Sequence, residues 1–262
     1  MLSILLLKAI FVMLLHLTSG IMTSPESLMK AYNDATIGIK GRFGYCVITN
    51  PDEKVGGVML VGINPSGHGS DDIIVDYRKC KSRAEGGWGD PASFWGPKHR
   101  MMGKYDRYAA YVDLLPIRMT HQHEVDNLNP AFRARLLEVT QKHIEEMKPR
   151  LIILVNQSAL YYWGSNEDAT WMGYRLGQPV KQLKGKWNLY RIQGLKTEKR
   201  DRINQEYFID KGNITQLEGC YLLHYCQVSV RRNYPNSRLQ INETDIEELL
   251  KEIDPKWEQT LY

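Results

Sequence analysis

Three short, almost uninterrupted apolar runs constrain this chain more than any other feature. They are Val58-Met59-Leu60-Val61-Gly62-Ile63, Ala109-Ala110-Tyr111-Val112-Asp113-Leu114-Leu115 and Leu151-Ile152-Ile153-Leu154-Val155. A strand with water on one face alternates apolar and polar residues, whereas a strand covered on both faces does not need to. Each run is short enough for a strand, and the first two stop at proline, at Asn64-Pro65 and at Pro116. Between the second and third lies a helical pattern. Asn129-Pro130 opens it, Phe132, Leu136, Val139, Ile144 and Met147 recur at helical spacing, and Pro149 closes it. Strand, helix, strand in that order is the grammar of a parallel sheet with right-handed crossovers.

The remaining segments extend this pattern. Ser24 caps a short helix running to Tyr32, with Pro25 at its first position. Residues 43–49 suit an edge strand ended by Asn50-Pro51-Asp52, and residues 157–163 suit a helix. Residues 187–192 and 221–224 read as strands, separated by a polar insertion over residues 196–218, and residues 243–253 read as a closing helix. With no internal repeat or low-complexity tract, we expect a single domain over residues 22–262. Its fold class is α/β, a three-layer α/β/α sandwich with a mainly parallel central sheet of about four strands.

Composition excludes more than it selects. In 262 residues, 43% are hydrophobic and 24% charged, which is ordinary for a soluble globular chain and argues against disorder. The net charge of +4 is compatible with a polyanionic partner without requiring one. Cys46, Cys80, Cys220 and Cys226 form no CxxC pair, so reduced, structural thiols are expected rather than a disulfide framework or a metal site. Residues 1–21 are mostly apolar but interrupted by Lys8 and His16, with no positive residue before the run. We expect a leader from a translation start placed too early, with Met22 as the natural start, and a cytoplasmic protein. A signal peptide and export are the alternative.

Several suggestive patterns lead nowhere. His121-Gln122-His123 lacks a third ligand in an evident motif. Gly86-Gly87-Trp88-Gly89 lacks the lysine and the strand-to-helix setting of a phosphate loop. Glu145 and Glu146 fall on the polar face of the long helix, where solvation is expected. No metal or other cofactor is expected, nor a membrane span; the expected state is a monomer.

In open α/β sheets, ligands sit beyond the carboxyl ends of the strands. Four loops therefore compete, after Ile63, Leu115, Val155 and His224. The first is the most informative, because Gly62 and Gly67 allow close approach of a ligand and Pro65 stiffens the presentation of Asn64. An amide there can accept and donate, which suits holding a water or reading a base edge. An ordinary Asn-Pro turn ending a strand is the competing reading of the same residues.

The segment Val61-Gly62-Ile63-Asn64-Pro65-Ser66-Gly67 resembles the first motif of the uracil-DNA glycosylase superfamily, in the form found in the mismatch-specific uracil/thymine glycosylases. Ser93-Phe94-Trp95-Gly96 resembles the aromatic segment that follows that loop. Tyr111-Val112-Asp113-Leu114-Leu115-Pro116 stands in the place of the second strand, whose end helps read the base. The likeness spans residues 58–232. It departs in three ways: Ser66 is inserted before Gly67, Asp113 stands where several members keep an uncharged residue, and the closing His-Pro-Ser loop has its nearest match in His224-Tyr225-Cys226-Gln227-Val228-Ser229. The loop, with Asp71-Asp72, Arg78-Lys79-Cys80 and residues 114–118, is also similar to an uncharacterised bacterial family of glycosylase-like type.

The resemblance implies a uracil-DNA glycosylase-like fold, DNA with a damaged or mismatched base as partner, and hydrolysis of an N-glycosidic bond. It implies that Asn64 holds the attacking water and that His224 donates to the leaving base. Gly62, Ile63, Pro65, Ser66, Phe94, Trp95 and Asp113 would line the base pocket, with an aromatic stacked on the flipped base. Arg231 and Arg232 would pair DNA phosphates. A non-catalytic nucleic-acid or nucleotide-binding protein of the same fold is the alternative, since fold does not dictate function.

Overall fold

The computed structural model describes residues 24–39, 43–65, 67, 69–76, 98–99, 101–156, 158–164, 171–184, 187–196, 215–225 and 241–256. Its centre is a six-stranded sheet. The strands are β2 (Val58–Gly62), β4 (Ala110–Asp113), β5 (Leu151–Leu154), β6 (Lys181–Leu183), β7 (Trp187–Arg191) and β8 (Tyr221–Tyr225), in the spatial order β4-β2-β5-β8-β7-β6. The first four in that order run parallel. β7 and β6 continue the sheet as an antiparallel hairpin. The parallel core was legible in the apolar runs, and every residue of β2, β4 and β5 is buried.

Helices cover both faces. One face carries α1 (Pro25–Ala35), α2 (Pro130–Met147) and α3 (Ala159–Trp163), packed on Met59, Val61, Val112, Ile152, Leu154 and Leu222. The other carries the 3-10 helix Gly103–Tyr108 and α4 (Glu243–Ile253), packed on Val58, Leu60, Tyr111, Ile153 and Leu223. Alternate residues of each strand thus feed opposite clusters, as the pleat requires. Local chemistry sets the helix starts. Ser24 accepts from the Ser27 N–H with Pro25 next, and Asn129 accepts from the Ala131 N–H with Pro130 next. α2 ends as Lys148 turns left-handed, at φ 47°, before Pro149.

The structure departs from the sequence expectations in three places. β1 (Cys46–Thr49) is no edge strand of the main sheet. It pairs in parallel with β3 (Ile73–Asp76), a strand without a clear sequence signal, in a separate two-stranded sheet. The main sheet also has six strands rather than about four, because β7 adds to β8 in antiparallel sense and the exposed three-residue β6 folds back on β7. Glu145 is half-buried rather than solvated, and accepts from the Tyr174 hydroxyl at 3.0 Å and the Thr215 hydroxyl at 2.9 Å. Among the described residues Cys46 and Cys220 form no disulfide, and no helix is long and apolar enough to cross a membrane. The leader, residues 1–21, and most of the polar insertion lie outside the described residues.

Candidate functional site at the carboxyl ends of the parallel strands

Strand order locates the crevice. From β2 the chain moves to β4 on one side, and from β5 it moves to β8 on the other. The connections therefore diverge between β2 and β5, and a cleft opens where neighbouring loops lead away in opposite directions. Residues 62–65 leave β2 at that point, and Val155 and Asn156 leave β5 beside them, with the Val155 N–H donating to the Val61 carbonyl at 3.0 Å.

The loop after β2 is held from the β4 side. The Leu114 and Leu115 N–H groups donate to the carbonyls of Gly62 (3.1 Å) and Ile63 (2.8 Å), and the Met119 N–H donates to that of Pro65 (3.4 Å). Ile63 is a core residue at 2% exposure, so it anchors the loop. Asn64 is half-buried, and its Nδ2 donates to the carbonyls of Pro65 (3.2 Å) and Met119 (3.5 Å). Both partners are acceptors, so only the NH2 end of the amide can face them. Oδ1 is thereby turned away from these carbonyls, as an acceptor with no partner among the described residues.

Beside this loop sits a buried carboxyl. Gly62 and Asp113 are paired across β2 and β4. Asp113 Oδ1 accepts from the Tyr111 hydroxyl at 3.0 Å, while Oδ2 is buried with no hydrogen-bond partner among the described residues. A side chain on Gly62 would collide with Asp113 Oδ1 and the Tyr111 hydroxyl, so glycine is required there by close approach. Burial pushes the Asp113 carboxyl up to about 7, opposed by the Tyr111 hydrogen bond and by the positive charge of Lys98. Burial likewise pushes the Lys98 ammonium down to about 7, opposed by the charge of Asp113. A buried carboxyl poised near neutrality beside Gly62 is a group able to give or take a proton.

Several expected residues fall elsewhere. His224 is buried in β8, in register with Leu154 of β5 and Asn188 of β7. Strand alternation sets it on the face opposite Leu223, whereas Tyr111 packs in the cluster of Leu223 and Asp113 follows Tyr111 by two residues. The structure thus gathers Gly62, Ile63, Asn64, Pro65 and Asp113, and places His224 two strands from β2. Asp72 serves the framework. Its carboxylate accepts from the Tyr45 N–H at 2.9 Å and from Asn33 Nδ2 at 2.7 Å. Arg118 donates to the Asp71 carbonyl at 3.1 Å. The His121 and His123 rings stack at 5.4 Å, and the described residues contain no cluster able to hold a metal ion. Ser66, Arg78, Lys79, Cys80, Phe94, Trp95, Arg231 and Arg232 lie outside the described residues.

Sequence reasoning passed over Tyr111 and Lys98. Tyr111 was within reach of it, because residues two apart on a strand share a face. Lys98 was not, because nothing local ties it to β4. No protein-family model matches the chain, and no curated protein or solved structure matches it either.

Proposed function

We propose that this chain hydrolyses the N-glycosidic bond of a damaged or deaminated, uracil-like base in DNA. The observation that carries this reading is the amide of Asn64. It is tied by two backbone carbonyls and turns an acceptor oxygen away from them, at the point where the strand connections diverge. That arrangement suits the holding of a water in a set orientation. The resemblance of residues 61–67 to a glycosylase motif supports the same role.

Bond cleavage of this kind develops positive charge on the sugar and negative charge on the departing base. An amide is no strong base, so Asn64 contributes by orienting the water and by placing its oxygen dipole near the sugar. Protonated Asp113 is a donor that can meet charge growing on the base. The target nucleotide must leave the stack to reach such a site, at a cost of a few kcal/mol. His224 carries no step in this scheme, given its place on the other face of the sheet.

The test is excision from duplexes carrying uracil, hypoxanthine or a mismatched thymine, followed on denaturing gels. Wild type is expected to release at least one of these bases. Asn64→Ala should lower the rate by roughly two to four orders of magnitude, the range for a lost positioning group. It should still bind the lesion duplex and fold normally, because Gly62, Pro65 and the backbone bonds of the loop remain. Asn64→Asp should recover part of the activity, because a carboxylate can take the proton from the water. Binding without excision of any of the three bases would leave only the non-catalytic reading.

A further inference from the structure

The loop after β4 carries two exposed imidazoles beside the Asn64 crevice. The rings of His121 and His123 stack with centroids 5.4 Å apart and planes within 11° of parallel, the geometry of an offset aromatic stack. His121 is held in place as the cap of the 3-10 helix Gln122–Asn127. Its side chain accepts from the Glu124 N–H, and the Glu124 carboxylate accepts from the His121 N–H at 3.3 Å. His123 follows in the first turn of the same helix, against that ring. The loop is tied to the crevice two residues earlier. The Met119 N–H donates to the Pro65 carbonyl at 3.4 Å, and the Met119 carbonyl accepts from Asn64 Nδ2 at 3.5 Å. At most ~7 Å of chain separates Met119 from His121. Along a DNA strand that is about two nucleotide steps, at ~3.4 Å each. Charge selects which part of the DNA suits this rim. Glu124 bonds the His121 backbone, and the exposed Asp126 carboxylate lies 3.6 Å from Arg133 on the same stretch of chain. Two carboxylates so close disfavour a phosphate, and leave the neutral face of a base as the group that fits.

We propose that the His121–His123 stack receives a nucleobase next to the extruded nucleotide, resting on the reading above that the Asn64 crevice takes a base from DNA. When one nucleotide leaves a duplex, the bases beside it lose a stacking partner, and that loss is part of the cost of extrusion. A flat ring face at the rim of the crevice replaces the lost partner. Unstacked bases are met in this way by aromatic side chains, histidine among them. The two imidazoles are already stacked before DNA arrives, so little further ordering is needed when a base joins them. The stack accepts any base, because every base has a π-face, and it therefore adds affinity without choosing the sequence around the lesion.

The experiment uses the full chain and a duplex carrying 2′-fluoro-2′-deoxyuridine, whose fluorine withdraws electrons from the sugar and so blocks excision. The fluorescent base 2-aminopurine, bright when unstacked and quenched when stacked, is placed in turn at each position within two nucleotides of the uracil, on either strand. At one position wild type should keep the probe quenched. His123→Ala and His121→Asn should each brighten it severalfold and bind the duplex roughly five- to fiftyfold more weakly. Asparagine at 121 removes a ring and keeps a helix cap, so the loop should hold its shape. His123→Phe keeps a ring without the imidazole nitrogens, and should restore both the quenching and the affinity. Wild-type affinity and brightness in the two ringless variants at every position overturn the proposal. A His123→Phe protein as weak as His123→Ala overturns it too, because the nitrogens and not the ring face would then make the contact. Failure of DNA binding by wild type overturns both this proposal and the glycosylase reading. Ring-dependent quenching without excision from the unfluorinated uracil duplex upholds the stack and removes only that reading.

Discussion

Burial holds the proton on Asp113 up to about pH 7, whereas an ordinary aspartate releases it near 3.8. Below about pH 4 the group is protonated in both folded and unfolded chains and adds no pH dependence. Between about 4 and 7 the unfolded chain gives up its proton while the folded chain keeps it, so stability falls as pH rises. Above 7 the cost of a buried charge is present, and the attraction of Lys98 fades there as its own amine loses its proton. Asp113→Asn removes the titration and keeps the size of the side chain. Its melting temperature should therefore match wild type near pH 4 and exceed it by several degrees at pH 7.5. A constant offset between the two proteins over that range would show that Asp113 does not titrate there. The same substitution should slow catalysis, which would place this residue among those where stability yields to function.

At the scale of elements, Thr140 joins three of them through one hydroxyl. Its oxygen lies 2.8 Å from the Tyr32 hydroxyl of α1 and donates within reach of the Leu114 carbonyl, at 2.9 Å, just past β4. Thr140 itself sits fully buried in α2. This hydroxyl holds the exit of β4, and so Asp113, against two helices. Thr140→Val keeps the shape and removes the polar atom, leaving the Tyr32 hydroxyl without this partner. The expected loss is about 1–3 kcal/mol of unfolding free energy, read from the urea midpoint with unchanged slope. A loss under about 0.5 kcal/mol would mean that the two partners are satisfied some other way.

At the scale of the whole molecule, a net charge of +4 limits how strongly a polyanion is attracted without contact. Binding to DNA should weaken as salt rises, with a log–log slope of about −2 to −4, corresponding to a few phosphate contacts. Replacing Arg231 and Arg232 together by alanine should make that slope shallower by roughly 1–2 without changing which base is preferred. An unchanged slope would remove these two residues, which lie outside the described part of the chain, from the phosphate contacts.

What the sequence determined by itself follows from local rules. Apolar runs without alternation announced β2, β4 and β5, because strands covered on both faces have no reason to alternate. Ser24-Pro25 and Asn129-Pro130 announced two helix starts, because caps act within a single turn. Asn64 stood out for the same reason, as the residue a proline fixes directly beyond a buried strand. Tertiary structure decided the rest. The partner of β1 was settled only in the fold, β3 becomes a strand where β1 offers it a ladder, and β6 forms where β7 presents an edge to it. The orientation of Asn64 depends on the carbonyl of Met119, fifty-five residues away in sequence. The near-neutral titration of Asp113 and Lys98 arises from enclosure by segments that no local pattern links, since desolvation is a property of the packed whole. Strand pairing order, which sets β2 beside β5 and opens the crevice between them, belongs to the same class: it is a long-range choice among topologies that a single sequence constrains only loosely.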